Sequence, residues 1–374
     1  MSPAPDLPPA SGAWRAGDPV GHRQFLAVDR PLRLEAGGVL PGYQLAYETW
    51  GTLNSDASNA VLVEHALTGD SHAAGPAGPG HPSPGWWDGL IGPGRALDTD
   101  ELFVVVPNVL GGCQGTTGPA SPDPDGKPWG SRFPRVTVRD QALAEAALAD
   151  ALGVERWALV LGGSMGGMRA LEWAVTLPGR VEALLVVAST AAASAEQIAW
   201  ASPQLHAIRA DPAWRGGDYY DAAPGEGPHR GLGIARRIAH VTYRSEPELT
   251  DRFGRRRQAP GDARYAIESY LDHHADKLVR RFDANSYLLL TESMNDHDVG
   301  RDRGGVGEAL SRVTARTLVA GVDSDRLYPS YQARDLAAAL PGSGEAAVIS
   351  SPYGHDSFLI ETPQIAGLVK ALLD

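Results

Sequence analysis

The sequence predicts an α/β fold, a mostly parallel, doubly wound sheet that carries a helical insertion. Two observations predict the sheet and a third predicts the insertion. Short apolar runs recur at residues 60–63, 103–106, 157–161, 183–187, 317–322 and 346–349. Their unbroken apolar character marks strands buried on both faces, as in parallel sheets. Helical patterns lie between some of them, giving the strand–helix–strand pitch of βαβ units. That alternation stops after Ser189 and resumes only near Thr317.

The elements follow in order. Residues 141–152 place Leu143, Ala147, Leu148, Ala151 and Leu152 at helical spacing, and Gly153 supplies the stop. Residues 165–176 read as a second helix directly after the third strand, with Pro178 beyond its end. The strand-free interval carries amphipathic stretches such as 234–242 and 264–281. It opens on a small-residue joint at 191–195 and closes on a Gly- and Arg-rich segment at 301–307. We therefore expect a catalytic domain from residues 1–190 and 310–374. Residues 191–309 would form a mostly helical lid over the carboxyl edge of the sheet, where α/β folds bind ligands.

Composition narrows the function. A chain of 374 residues suits one large core plus an insertion. Its 43% hydrophobic and 21% charged residues are ordinary for a soluble globular protein. A net charge of −12 opposes general binding to nucleic acid or to an anionic membrane. Cys113 is the only cysteine, so no intrachain disulfide forms and a cytoplasmic setting is expected. Residues 1–12, rich in Pro, Ala and Ser, lack the basic start and apolar run of a signal peptide and read as a short loose leader. No apolar run is long enough to span a bilayer.

The chemistry begins where the third strand runs into Gly162-Gly163-Ser164-Met165-Gly166-Gly167 and then a helix. This is a GxSxG nucleophile elbow in its strand-to-helix context, the arrangement of the α/β-hydrolase fold. A serine hydroxyl needs a base, and the base needs an acid to orient it, in the chain order Ser, Asp or Glu, His. Asp323-Ser324-Asp325 follows one late strand, and Pro352-Tyr353-Gly354-His355-Asp356 follows the next. Spacing does not choose between Asp323 and Asp325, since either also suits a turn. Most of the other histidines lie in the leader, the lid or the loops ahead of Ser164, out of order. The oxyanion of acyl transfer needs two N–H donors. Met165, just after the nucleophile, supplies one, and Leu67, in the loop after the first strand, is placed to supply the other.

Several motifs are not generic to that fold: His65-Ala66-Leu67-Thr68-Gly69, Gly85-Trp86-Trp87-Asp88, Asn108-Val109-Leu110-Gly111-Gly112-Cys113, Gly115-Thr116-Thr117-Gly118-Pro119, Asp325-Arg326-Leu327-Tyr328-Pro329 and Gly354-His355-Asp356. Together with the elbow they resemble the homoserine O-acetyltransferases over nearly the whole chain, from about Phe25 onward. The resemblance implies a ping-pong reaction. Ser164 takes an acetyl group from the co-substrate acetyl-CoA and passes it to the hydroxyl of L-homoserine, toward methionine, with no permanently bound cofactor and no metal. It implies Asp325 as the acid, and Arg236 and Asp356 as the residues that hold the amino acid. A zwitterion requires just such a cation and anion. It also implies a homodimer built through the lid helices.

Blander readings stand beside these. Arg236 also suits a wet helix face, and Asp356 suits a helix cap. Cys113 fits a buried small hydrophobe, the Arg252, Arg255, Arg256 and Arg257 cluster a solvated surface, and His273-His274 and His297-Asp298 lack metal-ligand partners. The competing activities are a relative using succinyl-CoA or L-serine, a serine ester hydrolase that admits water to the acyl-enzyme, and a non-catalytic binder.

Overall fold

The computed structural model describes residues 7–374. Eight strands form the central sheet: β1 (Gln24–Val28), β2 (Tyr43–Trp50), β3 (Ala60–Glu64), β4 (Phe103–Pro107), β5 (Leu159–Gly163), β6 (Ala183–Val187), β7 (Arg316–Val322) and β8 (Ala347–Ile349). Their order across the sheet is β1-β2-β4-β3-β5-β6-β7-β8. The β1–β2 and β2–β4 pairs are antiparallel and the others parallel.

The apolar runs do what the pattern predicts. In β3, Ala60 and Leu62 join the core on one face, while Val61 and Val63 join the core on the other. In β6, Leu184 and Val186 face one way and Ala183, Leu185 and Val187 the other. Helices α1 (Val138–Leu152) and α2 (Met165–Thr176) cover the first face, and α11 (Thr362–Leu373) contributes Ile365, Val369 and Leu372 to the second. Helix α1 starts three residues ahead of the sequence reading because Thr137 and Asp140 form a capping box. Strand β5 is shifted forward by two residues. Trp157 makes only an isolated bridge to Val181, whereas Gly162 and Gly163 continue the parallel ladder to β3 and β6.

Between β6 and β7 the chain builds α3 (Ala195–Arg209), α4 (His229–Tyr243), α5 (Glu246–Phe253), α6 (Ala266–Val279), α7 (Ala284–Asn295) and α8 (Val306–Leu310). Leu205 and Ile208 of α3, Leu232 and Ala235 of α4, Leu278 of α6 and Leu290 of α7 share a buried cluster with Leu67, Val109 and Met165. The insertion therefore sits on the loops at the carboxyl edge of the sheet. Helices α9 (Ser330–Ala339) and α10 (Ser357–Ile360) complete the chain. No helix among the described residues is long and apolar enough to cross a membrane.

The leader departs from expectation. Residues 1–6 lie outside the described residues, but residues 7–12 are fastened to the insertion. Ser11 is 4% exposed and its hydroxyl donates to Asp283 at 2.7 Å. The Gly12 N–H donates to the Phe282 carbonyl, and the Pro8 carbonyl accepts from Gly225. A Pro/Ala/Ser composition signals looseness only when no distant partner exists, and here Asp283 is that partner.

Candidate active site

Ser164 occupies the turn between β5 and α2 with φ 58° and ψ −125°. A non-glycine residue at positive φ is strained, and the neighbouring glycines allow the strain to be held. A side chain at Gly166 would place its Cβ 2.0 Å from the Glu64 carbonyl oxygen, and one at Gly162 would come within 2.4 Å of the Gly166 backbone. The turn is tied down by the Ser164 N–H donating to Val187 and by the Ser189 hydroxyl donating to the Ser164 carbonyl at 2.8 Å.

His355 reaches this hydroxyl from the loop after β8. Its Nε2 lies 2.8 Å from Ser164 Oγ, and its Nδ1 lies 2.6 Å from Asp325 Oδ2. With Asp325 accepting at Nδ1, Nε2 is left free to accept from the serine. Asp325 is fixed in turn, since its Oδ1 accepts from the Leu327 and Tyr328 N–H groups. Asp323 points elsewhere, accepting from Ser350 Oγ and from the Ser351 N–H. Tyr328 stacks on the imidazole and Phe358 meets it edge-on, so the ring sits among aromatic neighbours. All three residues are at most 6% exposed. A buried Ser–His–Asp chain of this kind can activate a serine for attack on an acyl carbon.

Met165 begins α2, fully buried beside the serine, and Leu67 flanks Ser164 from the loop after β3. That loop is held from several sides. His65 Nδ1 donates to the Ala66 carbonyl and Nε2 accepts from the Val109 N–H, a neutral tautomer. Burial, reinforced by Arg169, lowers the His65 pKa to about 3. Arg281 donates to the Thr68 carbonyl at 2.8 Å, and Trp86 Nε1 donates to the Asp70 carbonyl at 2.9 Å. Beneath the elbow Arg169 is wholly buried between Glu64 and Glu145, with Trp173 Nε1 donating to Glu145. Burial pushes the Glu64 carboxyl well above the usual range, against the pull of Arg169 and with the help of Glu145.

A cavity of about 510 Å³ opens over Ser164 and His355, walled by Arg236, Tyr243 and His274 from the insertion and by Asp356 from the loop after β8. Arg236 has no carboxylate partner among the described residues. Its Nη1 donates to Thr68 Oγ1 at 3.2 Å, its Nε is buried without a partner, and its guanidinium lies 5.7 Å from the Tyr243 ring. Asp356 precedes α10 yet makes no side-chain cap bond. Arg244 approaches its carboxylate at 3.4 Å. Burial raises the Asp356 pKa, opposed by His355, Arg236 and Arg244. The cavity thus presents a cation and an anion on the same side of the serine.

Of the other candidates, His274 lines the cavity, while Cys113, the arginine cluster and His297 fall outside it. Cys113 is buried, and burial and Asp283 push its thiol well up. Arg252, Arg255, Arg256 and Arg257 are exposed, with Arg252 lying over Phe253 and Tyr270 and Arg257 over Tyr265. His297 is buried and hydrogen-bonds the Thr190 carbonyl. Among the described residues one trio brings metal-ligand atoms within 4.8 Å, namely Glu48, His72 and His81. Its geometry favours an ion pair over a metal. His72 faces acceptors at both nitrogens, Glu48 at 2.9 Å and the Pro76 carbonyl at 3.2 Å; burial pulls its pKa down, but Glu48, Asp70 and the Pro76 carbonyl together raise it. His81 Nε2 already accepts the His22 N–H, and the two rings stack at 3.8 Å and 12°, so one ion cannot lie in both ring planes. The trio instead braces the loop, through Ser71 donating to Glu48.

Comparison with known proteins agrees with the geometry. The α/β hydrolase fold family matches residues 59–362. The homoserine O-acetyltransferase of Thermobifida fusca (strain YX) is 66% identical over 369 residues, 98% of this chain and 97% of the relative. The chain belongs to the homoserine O-acetyltransferase family. Among solved structures, the homoserine O-acetyltransferase from Bacillus anthracis is 30% identical with a TM-score of 0.85, covering 94% of this chain and 97% of that one. An acetylester hydrolase from Corynebacterium glutamicum is 28% identical with a TM-score of 0.81, covering 95% and 96%. The homoserine O-acetyltransferase family thus shares its frame with esterases. Against that frame, the residues that sequence reading passed over are Thr68, Tyr243 and Arg244, which contact Arg236 or Asp356. Tyr243 lies seven residues after Arg236, two helical turns on the same face, and that spacing was the available signal.

Proposed function

We propose that the protein transfers an acetyl group from acetyl-CoA to the side-chain hydroxyl of L-homoserine through an acyl-serine intermediate. The observation that carries this reading is that Arg236 and Asp356, a cation and an anion, line the same cavity above the Ser164–His355–Asp325 chain. His355 Nε2 takes the Ser164 proton as Oγ attacks the thioester carbon, and Asp325 stabilises the imidazolium. The oxyanion is held by the N–H groups of Leu67 and Met165. Collapse breaks the carbon–sulfur bond, and His355 returns its proton to the departing thiolate. The homoserine hydroxyl then gives its proton to His355 and attacks the acyl carbon, and the second collapse releases the ester and restores Ser164. Arg236 binds the acceptor carboxylate and Asp356 its ammonium, which favours an amino acid over water in the second step.

The reading includes a cytoplasmic enzyme acting as a homodimer through the insertion helices, whose exposed Ile198 and Ile234 suit a covered face. Sedimentation of the full chain tests the dimer.

Kinship with acetyl esterases supports hydrolysis as the second reading. One experiment separates the two: thiol release from acetyl-CoA and succinyl-CoA with and without L-homoserine or L-serine, with product mass and a Ser164→Ala control. Homoserine-dependent release giving O-acetylhomoserine, lost by at least about 10⁴-fold in the control, is expected. Acceptor-independent release means a hydrolase, and full turnover by Ser164→Ala refutes the nucleophile.

A further inference from the structure

Ser164 sits between two chambers. Besides the large cavity, a chamber of about 50 Å³ reaches the same serine with an otherwise different lining, Trp200 and Ala201 of α3, Thr291 and Met294 of α7, and Leu327 and Tyr328 among it. Leu67, Ser164 and Tyr243 border both spaces, while His355, Arg236 and Asp356 line only the large one. We propose that the small chamber is the acyl site, and that it admits short uncharged acyl groups with Met294 setting the length limit. This inference rests on the acyl-serine reading above and adds which acyl chains it accepts.

The argument is stereochemical. In the tetrahedral intermediate the acyl carbon bears Ser164 Oγ, the oxyanion, the leaving or attacking group, and the rest of the acyl chain. His355 must reach both the departing sulfur and the arriving hydroxyl, so that substituent lies on the large-cavity side. The oxyanion points to the Leu67 and Met165 N–H groups. The direction left for the acyl chain is the small chamber. On a scale where a water-sized group needs about 10–15 Å³, its volume holds about three to five waters, and fewer methyl or methylene groups because each is larger than a water. That is room for the methyl of an acetyl group and one further methylene.

Charge sets a second limit. No Lys, Arg or His lines the chamber. Its polar side chains, Gln197, Gln204, Asn295, Thr242 and the unpartnered hydroxyl of Thr291 among them, are neutral, and the two glutamine amides are committed, Gln204 Nε2 donating to the Trp200 carbonyl and Gln197 Nε2 to Leu327 and Gln332. The Leu327 and Tyr328 N–H groups already donate to Asp325, whose charge would repel an acid. A carboxylate-ended chain would be buried there without a counter-ion, which is strongly disfavoured. Met294 is partly buried and packs against the cluster of Val138, Met168 and Tyr328 at the wall, where an unbranched side chain fills the remaining space.

The test is acceptor-free acylation of the full chain, read as thiol release and as the intact-mass adduct on Ser164, with acetyl-, propionyl-, butyryl- and succinyl-CoA. Propionyl-CoA is expected to acylate within about tenfold of acetyl-CoA, and succinyl-CoA at least about 10³-fold more slowly. Met294→Ala should raise the butyryl-to-acetyl ratio about tenfold. Ala201→Leu, which fills the chamber, should lower the propionyl-to-acetyl ratio by a similar factor, and neither should move the homoserine KM. Succinyl-CoA acylating as fast as acetyl-CoA, or both variants shifting the homoserine KM while leaving chain-length ratios unchanged, would place the acyl group in the large cavity and overturn the proposal. Absence of any Ser164 adduct would sink the acyl-enzyme reading and this one together. Selective adducts without transfer to homoserine would sink only the acceptor.

Discussion

Replacing Arg169 with methionine removes the cation under the nucleophile elbow while keeping most of the side chain's volume. Arg169 and Glu64 are wholly buried and Glu145 is 1% exposed, so water cannot replace the lost partner. Breaking a buried ion pair by deleting one member costs about 3–5 kcal/mol, a large share of the roughly 5–15 kcal/mol that holds a domain folded. With a urea slope of about 3 kcal/mol/M, the unfolding midpoint should fall by more than about 1 M. The variant also loses the contact of Arg169 with the His65 carbonyl, so the Leu67 loop should loosen. The pH dependence is diagnostic. Glu64 already has a carboxyl pKa raised above its unfolded value of about 4.3, and losing Arg169 raises it further. A group raised on folding contributes stability below its unfolded pKa and loses that contribution as pH rises through the folded value. The deficit of Arg169→Met should therefore be larger at pH 8 than at pH 5 in urea melts followed by circular dichroism. A loss below about 1 kcal/mol, equal at both pH values, would refute the view that this cluster is a stability-critical charge pair.

Two further outcomes follow from the site. Arg236→Ala should raise the homoserine KM by about 10- to 150-fold, the equivalent of one charged hydrogen-bonded contact of roughly 1.5–3 kcal/mol, while single-turnover acylation by acetyl-CoA stays within about threefold. Equal losses in both half-reactions would remove the arginine from the acceptor site. Cys113, buried with its thiol pushed up, should resist a disulfide-exchange reagent at neutral pH and react once the chain is unfolded. Rapid labelling of the native protein would contradict its burial.

Much of the frame was legible because parallel strands buried on both faces are apolar, as β4 and β6 are throughout and β3 is up to Glu64. Two features of the sheet were not. Gly162 and Gly163 look like a turn in sequence, yet they extend β5 because the parallel ladder reaches the serine itself. Strand β2 carries a mixed polar pattern, and β1 is a short apolar run that stays largely unburied at the sheet edge, so their antiparallel pairing reveals them. At the site, motif and chain order were enough to single out Ser164 and His355 and to narrow the acid to Asp323 or Asp325, and the family resemblance pointed to Asp325. The surroundings of Arg236 required three dimensions, because Thr68 lies 168 residues away and no local pattern links the two. The packed segment at residues 7–12 was illegible for the same reason.

That segment also has a timing. Ser11 and its partner Asp283 are 272 residues apart in the chain. At a synthesis rate of about 5–20 residues per second, the aspartate leaves the ribosome roughly 15–55 s after the serine. Nearly the same wait applies to Gly12, whose partner is Phe282, whereas Gln114, whose side chain donates to the Arg281 carbonyl 167 residues further on, waits roughly 8–33 s. Closing so long a loop adds little entropic cost beyond that of a shorter one, so the clasp is late without being weak. Strands β1 to β6 and the serine turn emerge while these groups still face water, whereas β7 and β8 follow the insertion, and the wall of the cavity is sealed only when the insertion has emerged to meet the beginning of the chain.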